Sequence, residues 1–326
     1  MISAYQAIPS DPVLTGIALE YLQNRGKYFG KSVFFPYVSS EKASGVYYEF
    51  DAYNTLTARK AEKGRQGQLT RIDLRATKQS FMARQWGFAT TILAEDRRDV
   101  YPSADLDTRA VRMLEEQVLL SLEVEAERIV DVNSTSPTQA ATAAWTAATA
   151  DPKKDVSLAA EKVLKRIGVL PNAFAIVGAE WSTLTASQAT AGSAGALYHE
   201  AVKYVAQATG RTMQDPTLVA SYFNVEVAVP LLAIRNATTD LPESTVASGG
   251  LAADGGYVWD EPDTAYVFIT DPNPDTATVM YGGAMGPVDI ASGSYAESPR
   301  VDVVETWSEV ELKEVAAGAL CKITGI

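Results

Sequence analysis

The strongest constraint in this sequence is a pair of alternating stretches around a polar, basic turn. From Gly45 to Leu56, Val46, Tyr48 and Phe50 face one way and Tyr47, Glu49 and Asp51 the other. Thr57 to Gly67 is polar and carries Gly64 and Gly67, so it reads as a turn or loop. From Gln68 to Lys78 the alternation resumes, with Ile72, Leu74 and Ala76 opposite Arg71, Asp73 and Arg75. The pattern is a long hairpin with arms of about 11 residues, or about 35 Å each. A two-stranded ribbon of that length is marginal in water and needs a surface to pack on. Its apolar face must meet its own domain or another subunit, and its basic tip favours an acidic partner.

Charge is distributed to match. The net charge is −12. Residues 240–326 hold fifteen acids against three bases, and the remainder of the chain balances. Residues 55–84 are basic, with Arg59, Lys60, Lys63, Arg65, Arg71, Arg75, Lys78 and Arg84 against Glu62 and Asp73. A basic and an acidic segment in one chain suggest a self-complementary surface, and such fields steer association. Two solvated faces without a partner are the plain alternative. The overall acidity argues against a phosphate-binding groove.

Length and composition bound the rest. A chain of 326 residues corresponds to about two domains or one large composite one. With 47% hydrophobic and 21% charged residues it reads as a globular protein. No apolar run reaches the length of a membrane span, and the N-terminus has no secretory pattern, which favours the cytoplasm. One cysteine, Cys321, rules out a disulfide within the chain, and with one histidine, His199, it rules out paired-His and His/Cys zinc sites.

Along the chain, residues 1–30 read as an arm with a helical stretch from Pro12 to Asn24, and Ser32 to Val38 as a strand. Asp105 and Asp107 open a helix whose Leu106, Ala110, Met113, Leu114, Gln117, Leu120, Val124 and Ile129 recur at helical spacing, with the run reaching Val132. At about 28 residues and about 42 Å it reads as a structural spine, with a coiled coil as the alternative. Thr135 to Ala150 is an Ala/Thr linker or loop. Asp155 is expected to cap a helix ending at Gly168. Strands are expected at Ala173–Val177, Val225–Val229, Tyr257–Trp259, Ala265–Ile269, Ala277–Tyr281, Arg300–Val310 and Ala319–Ile323. Helices are expected near Glu180–Ala186, Leu197–Ala208 and Thr217–Tyr222. Helices followed by strands, without βαβ alternation, define an α+β layout.

No constellation of catalytic residues emerges. Gly26 to Ser32 approximates a phosphate loop with one spacer too few. Ser39-x-x-Lys42 lacks the companion motifs of a serine acyl-enzyme. Asp271 to Asp275 echoes a calcium loop without its glycine. His199 has no nucleophile to serve as a base for, and Cys321 reads as a small buried hydrophobe. The expectation is therefore no catalytic, cofactor or metal site.

The order of elements resembles the major capsid proteins of tailed bacteriophages, with their Hong Kong 97-type fold. The stretches that carry the resemblance are Val33-Phe34-Phe35-Pro36, then Phe81, Trp86-Gly87 and Ala94-Glu95-Asp96. Asp105-Leu106 and Leu120-x-x-Glu123 follow on the spine, then Trp145, Asp151-Pro152, and Gly168 to Gly178 through Pro171-Asn172. The resemblance implies an N-terminal arm (1–30), an extended-loop hairpin and flanking strand (31–84), a peripheral domain with the spine helix (85–170), an axial domain (171–290) and C-terminal strands returning to the peripheral domain (291–326). It implies self-assembly through pentamers and hexamers into an icosahedral head that encloses double-stranded DNA without sequence specificity. Scaffolding, portal and decoration proteins are the implied partners, with no membrane, and the virion, assembled in host cytoplasm, is the implied location. The charge pattern makes Arg59, Lys60, Lys63, Arg65, Arg71 and Arg75 the expected contacts to a neighbouring subunit; some members of that family cross-link a loop lysine to a neighbour's asparagine, and Lys60 and Lys63 stand at the corresponding place, with ordinary surface lysines as the alternative. An encapsulin-like cellular compartment of the same fold and an enzyme with a dispersed site are the alternatives.

Overall fold

A computed structural model describes residues 14–15, 28–50, 76–99, 105–132, 136–185, 191–235, 256–259, 263–271, 280–298 and 300–326. In chain order these form helix α1 (Phe29–Phe34), strands β1 (Tyr37–Ser39), β2 (Ser44–Phe50), β3 (Ala76–Met82) and β4 (Arg84–Leu93), and helices α2 (Ala94–Asp99) and α3 (Asp105–Val132). Strand β5 (Thr138–Ala140), helix α4 (Pro152–Ile167), strand β6 (Ala173–Val177) and helices α5 (Gly178–Thr185), α6 (Ala194–Thr209) and α7 (Pro216–Phe223) come next. The chain ends with strands β7 (Val227–Leu231), β8 (Ile234–Arg235), β9 (Gly256–Tyr257), β10 (Thr264–Phe268), β11 (Gly282–Ser298), β12 (Val301–Glu314) and β13 (Leu320–Thr324).

Two sheets organise these elements. One has the order β1-β11-β12-β4 and is backed by α3, which packs on β12 and β4. The other has the order β5-β13-β10-β6-β7, with α4 packed on β13, β5 and β10. β6 lies parallel to β7 and is buried at all five positions, as a strand covered on both faces must be. One hydrophobic core spans both sheets. Phe34 is buried in it, stacked on Phe268 at 4.3 Å and on Trp259 at 5.1 Å.

The helix boundaries follow local chemistry. Asp151 caps α4 by accepting from the Lys154 N–H at 3.1 Å, Pro152 opens the first turn, and Gly168 closes the helix at φ 81°. Asp215, Pro216 and Asn224 (φ 57°) repeat this scheme on α7. The expected cap, Asp155, sits one turn further in and is fully buried. Its carboxylate accepts from the Thr142 N–H (2.9 Å), the Thr142 hydroxyl and the Trp145 indole (3.1 Å). It thereby orders the Ala/Thr segment, whose β5 joins the second sheet.

Three expectations change. Ser32–Val38 is not one strand. Phe29–Phe34 is helical because Glu123 on the spine receives the Gly30 and Lys31 N–H groups at 2.9 and 2.8 Å, and only Tyr37–Ser39 extends. The second hairpin arm continues past Lys78 to Met82, and β4 and β11 add strands that carry no sequence expectation of their own apart from Trp86-Gly87. The C-terminal strands divide: β12 lies in the four-stranded sheet, whereas β13 pairs with β10 and β5 in the five-stranded one. β11 runs unbroken through the expected boundary at 290/291. Of the arm, Leu14 and Thr15 alone are described before Tyr28, so most of the Pro12–Asn24 helix lies outside the described residues.

Candidate assembly interface

β2 and β3 form a two-stranded antiparallel sheet of their own, in register from Ser44↔Met82 to Phe50↔Ala76. This is the root of the hairpin. Val46 is 59% and Met82 72% exposed, so the root presents apolar side chains to solvent. A single residue, Ala83, separates β3 from β4, and its N–H donates to Ala43 at 2.7 Å. The root is tied to the body at β12, where the Met82 N–H donates to the Glu311 carboxylate at 2.6 Å. The six basic residues expected to contact a neighbouring subunit, Arg59, Lys60, Lys63, Arg65, Arg71 and Arg75, lie outside the described residues.

The acidic counterpart is clearer. On β12, Val304, Thr306, Ser308, Val310 and Leu312 are buried on the side of α3, which leaves Glu305, Trp307, Glu309 and Glu311 half-buried on the opposite side. Cross-strand pairs extend that side onto exposed positions of β4, with Glu305 facing Ala89, Trp307 facing Gly87 and Glu309 facing Gln85. Gly87 is required there, because a Cβ would lie 2.9 Å from the Trp307 Cβ. Three carboxylates two to four residues apart on one strand face thus form an acidic row beside an indole. Lys313, 3.8 Å from Glu311, is the base at its end.

A cleft of about 380 Å³ lies at the foot of the hairpin, between β4, the end of β12 and the C-terminal half of α3. Arg128 there clamps Glu125 through two bonds of 2.8 and 2.7 Å. That bond, with the charges of Arg128 and Arg84, holds the Glu125 carboxyl below its ordinary range against the effect of partial burial.

The deepest polar feature is Glu123. It is fully buried and accepts three N–H bonds, from Gly30, from Lys31 and from the Trp259 indole (2.7 Å). Burial raises its carboxyl above the ordinary range, and the three donors and the Lys31 charge oppose that rise. Lys31 in turn pairs with Asp289 on β11 at 2.6 Å. The node therefore joins α1, the spine helix α3 and Trp259, which lies between β9 and β10. A Cβ at Gly30 would collide with the Glu123 carboxylate and the Trp259 ring, so glycine is the residue that fits. Sequence reading did not assign Glu123 or Asp155 these roles. The available signal was an acid within the apolar stripe of Leu119, Leu122, Ala126 and Val130.

The weaker motifs have structural roles. Gly30, Lys31 and Ser32 belong to α1, and Lys31 is occupied by Asp289. The Ser40 hydroxyl, next to Ser39, closes a turn onto the Lys42 carbonyl. His199 is half-buried on α6. Cys321 is buried in β13, which pushes its thiol up to about 11. Of Asp271–Asp275, residues 272–275 lie outside the described residues. Among the described residues, no group of three or more His, Cys, Asp or Glu side chains is placed to hold a metal ion.

No protein-family model matches the chain, and no curated protein matches it. Solved structures do. A phage-related protein from Bordetella bronchiseptica superposes with a TM-score of 0.67 over 98% of each chain at 18% identity. The subunit of a virus-like particle from Pyrococcus furiosus gives a TM-score of 0.53 over 95% of this chain and 97% of that one, at 9% identity. The mature capsid of bacteriophage PhiM1 gives 0.50 over 92% of this chain and 86% of that one, at 12% identity. The chain thus has an α+β fold shared with these proteins along nearly its whole length, as the sequence resemblance implies.

Proposed function

We propose that this chain is a structural major capsid protein, a non-enzymatic subunit that assembles with copies of itself into the icosahedral head of a tailed phage. The observation that carries the reading is the hairpin root. Its second strand joins β4 through one residue, it exposes Val46 and Met82, and among the described residues it pairs with no third strand. A ribbon of this kind gains stability only by burying its face on something else. Fold similarity to a phage capsid subunit over most of the chain supports the same conclusion.

The receptor for the basic tip is the row Glu305, Glu309 and Glu311 on a neighbouring copy, where Trp307 supplies apolar area. Exposed ion pairs contribute only about 0–1 kcal/mol each, so the apolar ribbon face carries most of the contact and charge sets its register. Many weak contacts of this size let assembly errors dissociate and repair. A net charge of −12 repels packaged DNA from the wall.

Electron microscopy of the purified chain, alone and with a scaffolding protein, tests the proposal. Closed shells or rings tens of nanometres across are expected, and monodisperse monomers under both conditions refute it. Shells that protect DNA from nuclease support a phage head. Shells that copurify with protein cargo support the cellular compartment suggested by the likeness to the Pyrococcus furiosus particle.

A further inference from the structure

Helix α6 is apolar around more of its circumference than its packing uses. Tyr198, Val202 and Ala206 are buried on the side where the helix meets α5 and α7. Leu197, Ala201, Tyr204, Val205 and Ala208 recur at helical spacing on an adjoining face, and all five are exposed, Tyr204 by 70%. Lys203 lies over the Tyr204 ring at 5.0 Å, and Glu200 is exposed at the edge of the stripe. A surface helix that packs on one side carries polar residues on the rest, so a second apolar face marks a second contact.

Another apolar patch lies where α4 runs into β6. Leu164 is exposed one turn before the Gly168 cap, and Val169 and Leu170 are exposed just after it, Leu170 by 63%. β7 runs parallel to β6, so both strands begin at the same end of the sheet. There the exposed Val227 donates its N–H to the Asn172 carbonyl at 3.1 Å. Seven of the fourteen exposed large apolar side chains among the described residues thus fall on the α6 stripe or at this corner. At those exposures each place offers roughly 300 Å² of apolar surface, the scale at which a patch marks a contact.

Two unlike patches of equal apolar area on one chain point to a second copy as the occupant of each. A subunit in a closed ring turns one surface to the neighbour on one side and a different surface to the neighbour on the other. The ridge of α6 and the corner at Leu170 are such a pair. Charge fits as well: Glu200 and Lys203 edge the stripe, and Lys165, bonded to Glu161 at 2.6 Å, and Glu226 edge the corner, so opposite signs can be matched across the contact. We propose that the Tyr204 face of α6 packs on the Leu170 corner of a second copy, head to tail, and that repetition of this contact closes the ring. The inference rests on the capsid reading above and names a contact separate from the ribbon. Roughly 600 Å² of apolar surface is less than the about 1,200 Å² of a stand-alone specific interface, so single contacts come apart and closed rings persist.

The full-length double variant Leu170→Cys with Tyr204→Cys tests this when a short bismaleimide is added to assembling subunits. The native Cys321 is buried and does not compete for reagent. On a denaturing gel the double variant should give a ladder of linked chains ending in closed rings, whereas either single variant should run as a monomer. Dimers from Tyr204→Cys alone would mean that two α6 helices meet, which overturns the head-to-tail contact. Shells that form normally from the double variant yet stay unlinked overturn it too, and they leave the capsid reading standing. A native chain that forms neither rings nor shells refutes that reading and this contact with it. As a second measurement, Tyr204→Glu with Val205→Glu should slow assembly by about tenfold or more. Both side chains are exposed and glutamate is a good helix former, so the melting temperature of the unassembled subunit should not change. Assembly at the native rate counts against the contact.

Discussion

Glu123 is the residue on which most of the chain's geometry converges. A fully buried carboxylate with three N–H donors is expensive to bury and more expensive to disturb. Gln at this position offers one carbonyl oxygen and an NH2 group, so at least one donor would face another donor. Glu123→Gln should therefore destabilise the fold by about 1–3 kcal/mol, read from urea unfolding near neutral pH. The pH dependence carries a distinct sign. Burial raises the folded carboxyl's pKa, so the folded state takes up a proton more readily than the unfolded state. The stability linked to that proton is fully present below the unfolded carboxyl's pKa and fades as pH rises through the folded value. The native chain should gain stability relative to Glu123→Gln as pH falls from neutrality into the mildly acidic range. Parallel curves at every pH would show that Glu123 does not titrate as its surroundings dictate.

At the scale of elements, the legible parts were those with a period or a cap. The spacing of Leu106, Ala110, Leu114 and Val124 marked α3 up to its last residue, Val132. Gly168 marked the end of α4. β11 was illegible for a physical reason. Its 17 residues include Gly282, Gly283, Gly286 and Gly293 and also Pro287, all of which read as strand breakers. They are there because β11 is squeezed between β1 and β12 and shifts register at Met285/Val288. A Cβ on Gly286 would strike the Glu309 carbonyl oxygen. Gly286→Ala should accordingly cost about 1–3 kcal/mol and lower the melting temperature, with the loss of protection in hydrogen exchange concentrated in β11 and β12. A melt identical to that of the native chain would mean that the bulge relaxes freely. The acidic half of the proposed interface was visible in the sequence only as a segment. Which acids share a face became readable once the alternation of β12 was placed against α3. Glu123 was visible as an anomaly in an apolar stripe, but its partners, 92 to 136 residues away, were not.

At the scale of the whole molecule, two sheets share one core and the β2–β3 pair belongs to neither sheet. If ribbon tip and acidic row belong to neighbouring copies, their charges must be exchangeable. Arg59→Glu, Lys60→Glu and Lys63→Glu together should weaken assembly while leaving the monomer folded by circular dichroism. Adding Glu305→Lys and Glu309→Lys, which leaves the Glu311 tie to the hairpin root intact, should restore it. Raising salt from about 0.1 M to about 1 M, which shortens the screening length from about 10 Å to about 3 Å, should narrow the gap between native and reversed chains. Light scattering of assembly reports all three arms. Failure of the double reversal to recover assembly would remove the acidic row as the receptor.

The one-residue junction at Ala83 also has a mechanical consequence. Tension applied to the ribbon enters β4 at Arg84, at one end of ten positions matched with β12 from Val310 to Val301. Force directed along a strand loads its cross-strand bonds in shear, and they must yield together rather than unzip in turn. A container whose copies hold one another by such ribbons would resist internal pressure through its strand ladders and not through its loops.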